Sequence, residues 1–142
     1  MLIVLAYSVL CLVSGLWHTR KGNYHGEAFP FHPLGAYVWA DAVVFGLFWT
    51  VSTIVLYKIG DWNLFWAYYF VFSAVRYLGE TIYWFNEQFA GKKLEDTKKK
   101  WPYRFFKDEK VVRFTYQTIA QCLTVVSVIL AIYFAHRWVA SL

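Results

Sequence analysis

Two side chains capable of ion pairing and acid–base chemistry stand inside an apolar segment, VFSAVRYLGETIYWF, residues 71–85. Arg76 and Glu80 are four residues apart, a spacing that places both on one face of a helix. A charge at the centre of a bilayer costs about 2.5–3.5 kcal/mol on insertion scales, so charged side chains in spans usually face a protein interior. The pair therefore predicts a polar interior in a protein whose surroundings are apolar.

Other polar residues fall at a similar predicted depth in the remaining apolar segments. The short Asp41 side chain has little reach toward water, whereas the longer Arg76 side chain could snorkel. We predict one binding cluster in the inner half of a helical bundle, made of Asp41, Arg76, Glu80, Gln117, Gln121, Tyr77, Ser14 and His18.

Three interpretations of this cluster stay open. It could be structural, since polar contacts between membrane helices contribute about 0.6 kcal/mol each. It could instead be a binding or proton-handling pocket that opens to the cytoplasm. The third possibility is a contact surface for another membrane subunit.

Three histidines follow each other at seven-residue spacing in HTRKGNYHGEAFPFHP. Imidazole and carboxylate groups are ligands for zinc or iron, but this spacing matches no compact metal motif. Interfacial packing or solvent exposure is the simpler interpretation, and we expect no metal and no cofactor. The residues with ligand chemistry here are His18, His25, His32 and Glu27.

The composition is that of a membrane protein. Of 142 residues, 59% are hydrophobic, 23% are aromatic and only 16% are charged. Soluble domains carry about 25% charged residues, and a small soluble fold leaves a large share of its surface exposed to water. Lipid is therefore the expected solvent, and the length predicts a single domain over residues 1–142.

Four apolar stretches predict an all-α integral membrane four-helix bundle, with helices at about 2–17, 34–59, 62–85 and 114–139. A span needs about 20 residues, so the first stretch is short. We expect it to be a retained helix, because it lacks the basic start and A-x-A-like site of a signal peptide. Gly60 and Asp61 form a very short second link, and Asp61 is placed to cap the third helix.

The basic residues predict the orientation. The first and third loops carry two and nine Lys or Arg, eleven in total, against only Lys58 and Arg137 on the opposite side. The positive-inside rule then puts both termini outside and both long loops in the cytoplasm.

The third loop contains a basic and aromatic segment that we predict to lie on the inner membrane surface. Lysines there would contact anionic headgroups, and each would contribute about 1 kcal/mol to binding the membrane surface. A solvated loop and, less simply, a nucleic-acid-binding loop are the alternatives. The predicted interface residues are Lys98, Lys99, Lys100, Trp101, Tyr103, Arg104, Phe105 and Phe106.

The chain shows no Gly-rich phosphate loop, nucleophile elbow or zinc-protease motif. We therefore expect a non-enzymatic accessory or scaffolding subunit with partner membrane subunits or further copies of itself. An oligomeric small transporter or channel is the first alternative, with Asp41, Arg76 and Glu80 as its candidate residues. An inner-leaflet enzyme acting on a lipid or small molecule is the second.

Overall fold

The computed structural model describes residues 1–89 and 108–142, apart from the side chain of Glu109. This part of the chain is helical, as predicted, and contains no β-strand; an isolated bridge joins Glu27 to Val38. Its elements are α1 (Leu2–Arg20), a 3₁₀ helix (Phe29–Leu34), α2 (Trp39–Ile59), α3 (Trp62–Phe89) and α4 (Glu109–Val139).

Three helices are long and apolar enough to cross a membrane: α1, α2 and the Lys110–Val139 part of α4. Most residues of each are not buried inside the protein, as expected where lipid is the solvent. Within the described residues α3 is long enough but does not meet the same criterion of hydropathy and charge, because Arg76, Glu80 and Glu87 make it more polar. Membrane-crossing length and composition are thus found for three of the four predicted spans.

The helices differ from the predicted bounds mainly at the ends that face the loops. Helix α1 continues to Arg20, and its 19 residues cover about 28 Å, which removes the shortfall of the predicted first span. Helix α2 begins at Trp39 rather than at Leu34. The preceding FPFHPL forms the 3₁₀ helix, and Gly35 ends it with a positive φ of 82°. The prediction extended α2 too far because hydropathy does not register such a break.

By their contacts the described residues group into two compact units. Unit 1 comprises Met1–Tyr68 and Phe134–Leu142, and unit 2 comprises Tyr69–Tyr133. The single domain over residues 1–142 stays a prediction.

Unit 1 is built on a close approach of α1 to α2. A Cβ added to Gly46 would meet the backbone nitrogen of Leu12 at 2.5 Å, and one added to Gly15 would meet that of Val43 at 2.7 Å. The hydroxyl of Thr50 donates to that of Ser8 over 3.2 Å, and the Cys11 thiol lies 3.5 Å from the Ala42 carbonyl. Small residues allow this contact, as they do between membrane helices generally.

The turn from α2 to α3 follows the predicted chemistry. Gly60 has a φ of 78°, the left-handed conformation that often ends a helix. The Asp61 carboxylate then accepts hydrogen bonds from the backbone N–H groups of Asn63 at 2.7 Å and Leu64 at 3.0 Å. The predicted N-cap at Asp61 is therefore confirmed, and the two-residue link makes α2 and the start of α3 a helical hairpin.

Candidate functional site

The polar face of α3 in unit 2 carries an ion pair. The Arg76 guanidinium lies 3.0 Å from the Glu80 carboxylate, one helical turn away. Both side chains are half-buried. The structure thus brings together the two residues whose spacing first indicated a polar interior, and each charge partly offsets the cost of holding the other away from water.

A second charged contact joins the C-terminal end of α3 to the start of α4. Arg113 is only 7% exposed, and its Nη1 donates to the Glu87 carbonyl oxygen over 2.9 Å. That carbonyl is among the last four of α3, which have no partner within the helix. Arg113 therefore supplies, from α4, a hydrogen bond that α3 cannot make for itself.

Neighbouring side chains reinforce this contact. The side-chain amide of Gln88 donates to the side-chain oxygen of Gln117. The Trp84 and Tyr116 rings stack with centroids 4.9 Å apart and planes inclined by 13°. An aromatic stack and two polar contacts thus hold the two helices together at one end of unit 2.

The charges along this part of unit 2 balance. Tyr83 lies near enough to Glu80, Glu87 and Arg113 for their charges to act on its hydroxyl. With Arg76 included, the set holds two arginines and two glutamates, a formal sum of zero. The Glu87 Oε2 atom is buried without a hydrogen-bond partner among the described residues. We call this set the α3–α4 polar cluster: Arg76, Glu80, Glu87, Gln88, Arg113 and Gln117.

Three of the predicted cluster residues lie in unit 1. The Asp41 carboxylate accepts a hydrogen bond from the backbone N–H of Tyr37 over 3.3 Å. Because Asp41 is in the first turn of α2, this contact reaches back across the helix start, where a negative charge is favourable. The His18 ring stacks on Trp39 at 3.8 Å, and Ser14 is half-buried on α1.

The remaining two predicted residues lie in unit 2. Tyr77 is half-buried on α3, one residue after Arg76. Gln121 is exposed on α4, together with Thr118. The gathering of all eight predicted residues into one site stays a prediction, and the geometry that is seen is the α3–α4 polar cluster in one unit and the start of α2 in the other.

The histidine loop folds without bringing its ligand-type residues together. His25 and Glu27 are exposed, and Glu27 takes part in the bridge to Val38. His32 belongs to the 3₁₀ helix and packs edge-on against Phe29 at 5.2 Å. Within residues 1–89 and 108–142, no three His, Cys, Asp or Glu side chains are grouped as metal ligands would be. The predicted interface segment, Lys98–Phe106, lies outside the described residues.

Sequence reasoning missed two features of these contacts: the role of Arg113 and the close packing of α1 on α2. Arg113 counted only toward orientation, although it stands four residues before Gln117 and so shares its helix face. The small residues Cys11 and Gly15 on α1, and Ala42 and Gly46 on α2, each four apart, were a readable signal for close helix packing.

Comparisons with protein-family models, curated proteins and solved structures found no match to this chain.

Proposed function

We propose that this chain is a four-pass membrane protein that acts as a non-catalytic subunit of a larger membrane assembly. In this proposal both termini lie outside, and the long loops lie in the cytoplasm. Three apolar helices support membrane insertion. The two-residue link to α2 supports α3 as the fourth span, and the Arg76–Glu80 pair lowers the cost of placing it in lipid.

The observation that carries the subunit role is the exposure of Gln121 in the middle of α4. It lies 12 residues after Glu109 and 18 before Val139, so it falls near the centre of an apolar span. A primary amide facing acyl chains has no hydrogen-bond partner there, since the hydrocarbon offers none. Polar side chains of this kind bond across to a neighbouring membrane helix. A partner helix on this face of α4 would satisfy Gln121 and the adjacent exposed Thr118.

The test is a native pull-down in mild detergent with wild-type protein and Gln121→Leu, and with Val126→Leu as the matched exposed apolar control. Loss of one interhelical hydrogen bond of about 0.6 kcal/mol weakens partner retention about threefold. We expect this loss for Gln121→Leu and none for Val126→Leu. A wild-type protein that is always solitary, or equal retention by both variants, contradicts the subunit role.

A small transporter or channel is the second candidate, and the α3–α4 polar cluster favours it. Glu87 Oε2 is buried without a hydrogen bond while Arg113 lies against the same turn, and such intramembrane carboxyls often bind ions or protons. In reconstituted vesicles, Glu80→Gln and Glu87→Gln should abolish ion flux, whereas Glu27→Gln in the exposed loop should not. Vesicles that show no flux with wild-type protein contradict this candidate. No contact in the described residues favours inner-leaflet enzyme chemistry.

A further inference from the structure

The 3₁₀ helix Phe29–Leu34 packs beside residues well inside the length of α1 and α2 instead of standing clear of the helix ends. The Tyr7 hydroxyl on α1 donates to the Pro30 carbonyl, and the Trp49 indole N–H on α2 donates to the Leu34 carbonyl over 3.2 Å. Ser8 and Thr50, the next residues along, bond to each other. Both anchors of the segment therefore lie at the same level of the helix pair.

That level is well inside the length of α2. Trp49 follows Trp39, the first residue of α2, by ten positions, which is about 15 Å of helix. Helical side chains tilt toward the N-terminus, so the indole N–H lies about 10 Å from the start of α2. Since α2 is 21 residues long, it matches a hydrocarbon layer of about 30 Å. The Leu34 end of the segment, which this indole contacts, is then about a third of the way into that layer.

The backbone of the segment is suited to such a position. Irregular backbone occurs at membrane depth only where protein satisfies its polar groups. Pro30 and Pro33 have no N–H to satisfy. The N–H groups of Phe31, Gly35 and Ala36 bond within the turn, to Ala28, His32 and Phe31. The Pro30 and Leu34 carbonyls have the Tyr7 and Trp49 donors described above.

The two faces of the segment differ. Phe31 and Leu34 are buried in unit 1, and the Phe31 ring lies 5.4 Å from that of Tyr7. Phe29, by contrast, is 68% exposed beside the exposed Pro30. An outward Phe–Pro pair at this level would face acyl chains rather than water.

We propose that Phe29–Leu34 is a re-entrant element that dips below the lipid headgroups and presents Phe29 to acyl chains. This inference rests on the proposed passage of α1 and α2 through the membrane. The segment enters and leaves on the same side, since the bond from the Ala28 N–H to the Tyr37 carbonyl, 2.9 Å, closes its base.

The test is labelling of single introduced cysteines by a water-soluble maleimide in proteoliposomes that carry the full chain. Cys122 is replaced by Ser, and Cys11 is kept because it is buried. Phe29→Cys reports the segment, His25→Cys reports the aqueous loop, and Leu47→Cys reports a lipid-facing site of similar depth on α2. We expect Phe29→Cys to react at least about tenfold more slowly than His25→Cys, because a one-unit rise in thiol pKa alone lowers the thiolate fraction tenfold. Vesicles are opened before labelling so that both sides are accessible.

The controls separate the proposed re-entrant element from the proposed passage of α2 through the membrane. Fast labelling of Phe29→Cys with slow labelling of Leu47→Cys overturns the re-entrant element and leaves the spans intact. Fast labelling of both overturns membrane insertion of α2 itself. Adding Trp49→Phe, which removes the donor to Leu34, should raise the Phe29→Cys rate severalfold, and Tyr57→Phe at an exposed site should not. An unchanged rate with Trp49→Phe, in protein whose Leu47→Cys stays protected, also counts against the anchored segment.

Discussion

At the scale of single residues, two glycines decide how closely α1 and α2 pack. The space beside Gly46 is occupied by Leu12 backbone atoms, which cannot rotate away as a side chain would. A methyl group at this position forces the two helices apart. Gly46→Ala should therefore lower the free energy of unfolding by about 1–3 kcal/mol, the usual range for overpacking. Unfolding in mixed micelles of dodecyl sulfate, followed by circular dichroism, measures the change.

Gly79 on α3 provides the matched control. A Cβ there meets nothing within 4 Å, so the only effect of Gly79→Ala is on the helix backbone. Alanine is favoured over glycine inside a helix by about 0.5–1 kcal/mol. We expect unchanged or slightly raised stability, and equal losses at the two glycines would contradict the close approach at Gly46.

Residue spacing predicted local contacts well and distant ones poorly. The Arg76–Glu80 pair and the Asp61 cap depend on residues within one turn, so the sequence alone places them. The bond from Arg113 to the Glu87 carbonyl joins residues 26 positions apart. No pattern within either helix encodes that partner, because it depends on which faces of α3 and α4 meet.

At the scale of elements, Arg113 has a definable effect on the end of α3. Replacing it with methionine keeps most of the apolar stem but leaves the Glu87 carbonyl without its donor. Hydrogen bonds that involve a charged group contribute about 1.5–3 kcal/mol, so Arg113→Met should cost that much in stability. Lys110→Met, at an exposed position one turn earlier, is the control and should cost little. The same unfolding assay reports both variants, and indistinguishable midpoints would show that the Arg113 contact does not stabilise α3.

The beginnings and ends of elements were the least predictable features. Residues 34–38 are apolar and continue the hydropathy of α2, yet Gly35 adopts a left-handed φ and Val38 is extended. The break comes from Pro30, Pro33 and Gly35 acting through backbone geometry. Apolar run length located the middles of α1, α2 and α4, because burial in lipid is what those runs encode.

At the scale of the whole molecule, the distribution of basic residues makes a prediction about sidedness. With Cys122→Ser as background, Ser141→Cys should react with an impermeant maleimide added outside intact cells. His25→Cys should react only after the cells are opened, because the proposed orientation puts the first loop inside. The reverse pattern would place both termini in the cytoplasm and refute the proposed orientation.

The two-residue turn at Gly60–Asp61 has a consequence for how the chain enters the bilayer during synthesis. In the proposed four-pass arrangement, the lack of slack between α2 and α3 predicts that the two helices are inserted together rather than one after the other as independent segments. The more polar α3, with its Arg76 and Glu80, would cross while joined to α2, whose apolar residues lower the free energy of the pair as a whole. A spacer of flexible residues placed in this turn would let α3 reach the translocon as a separate segment. Its insertion would then depend on the hydropathy of α3 alone.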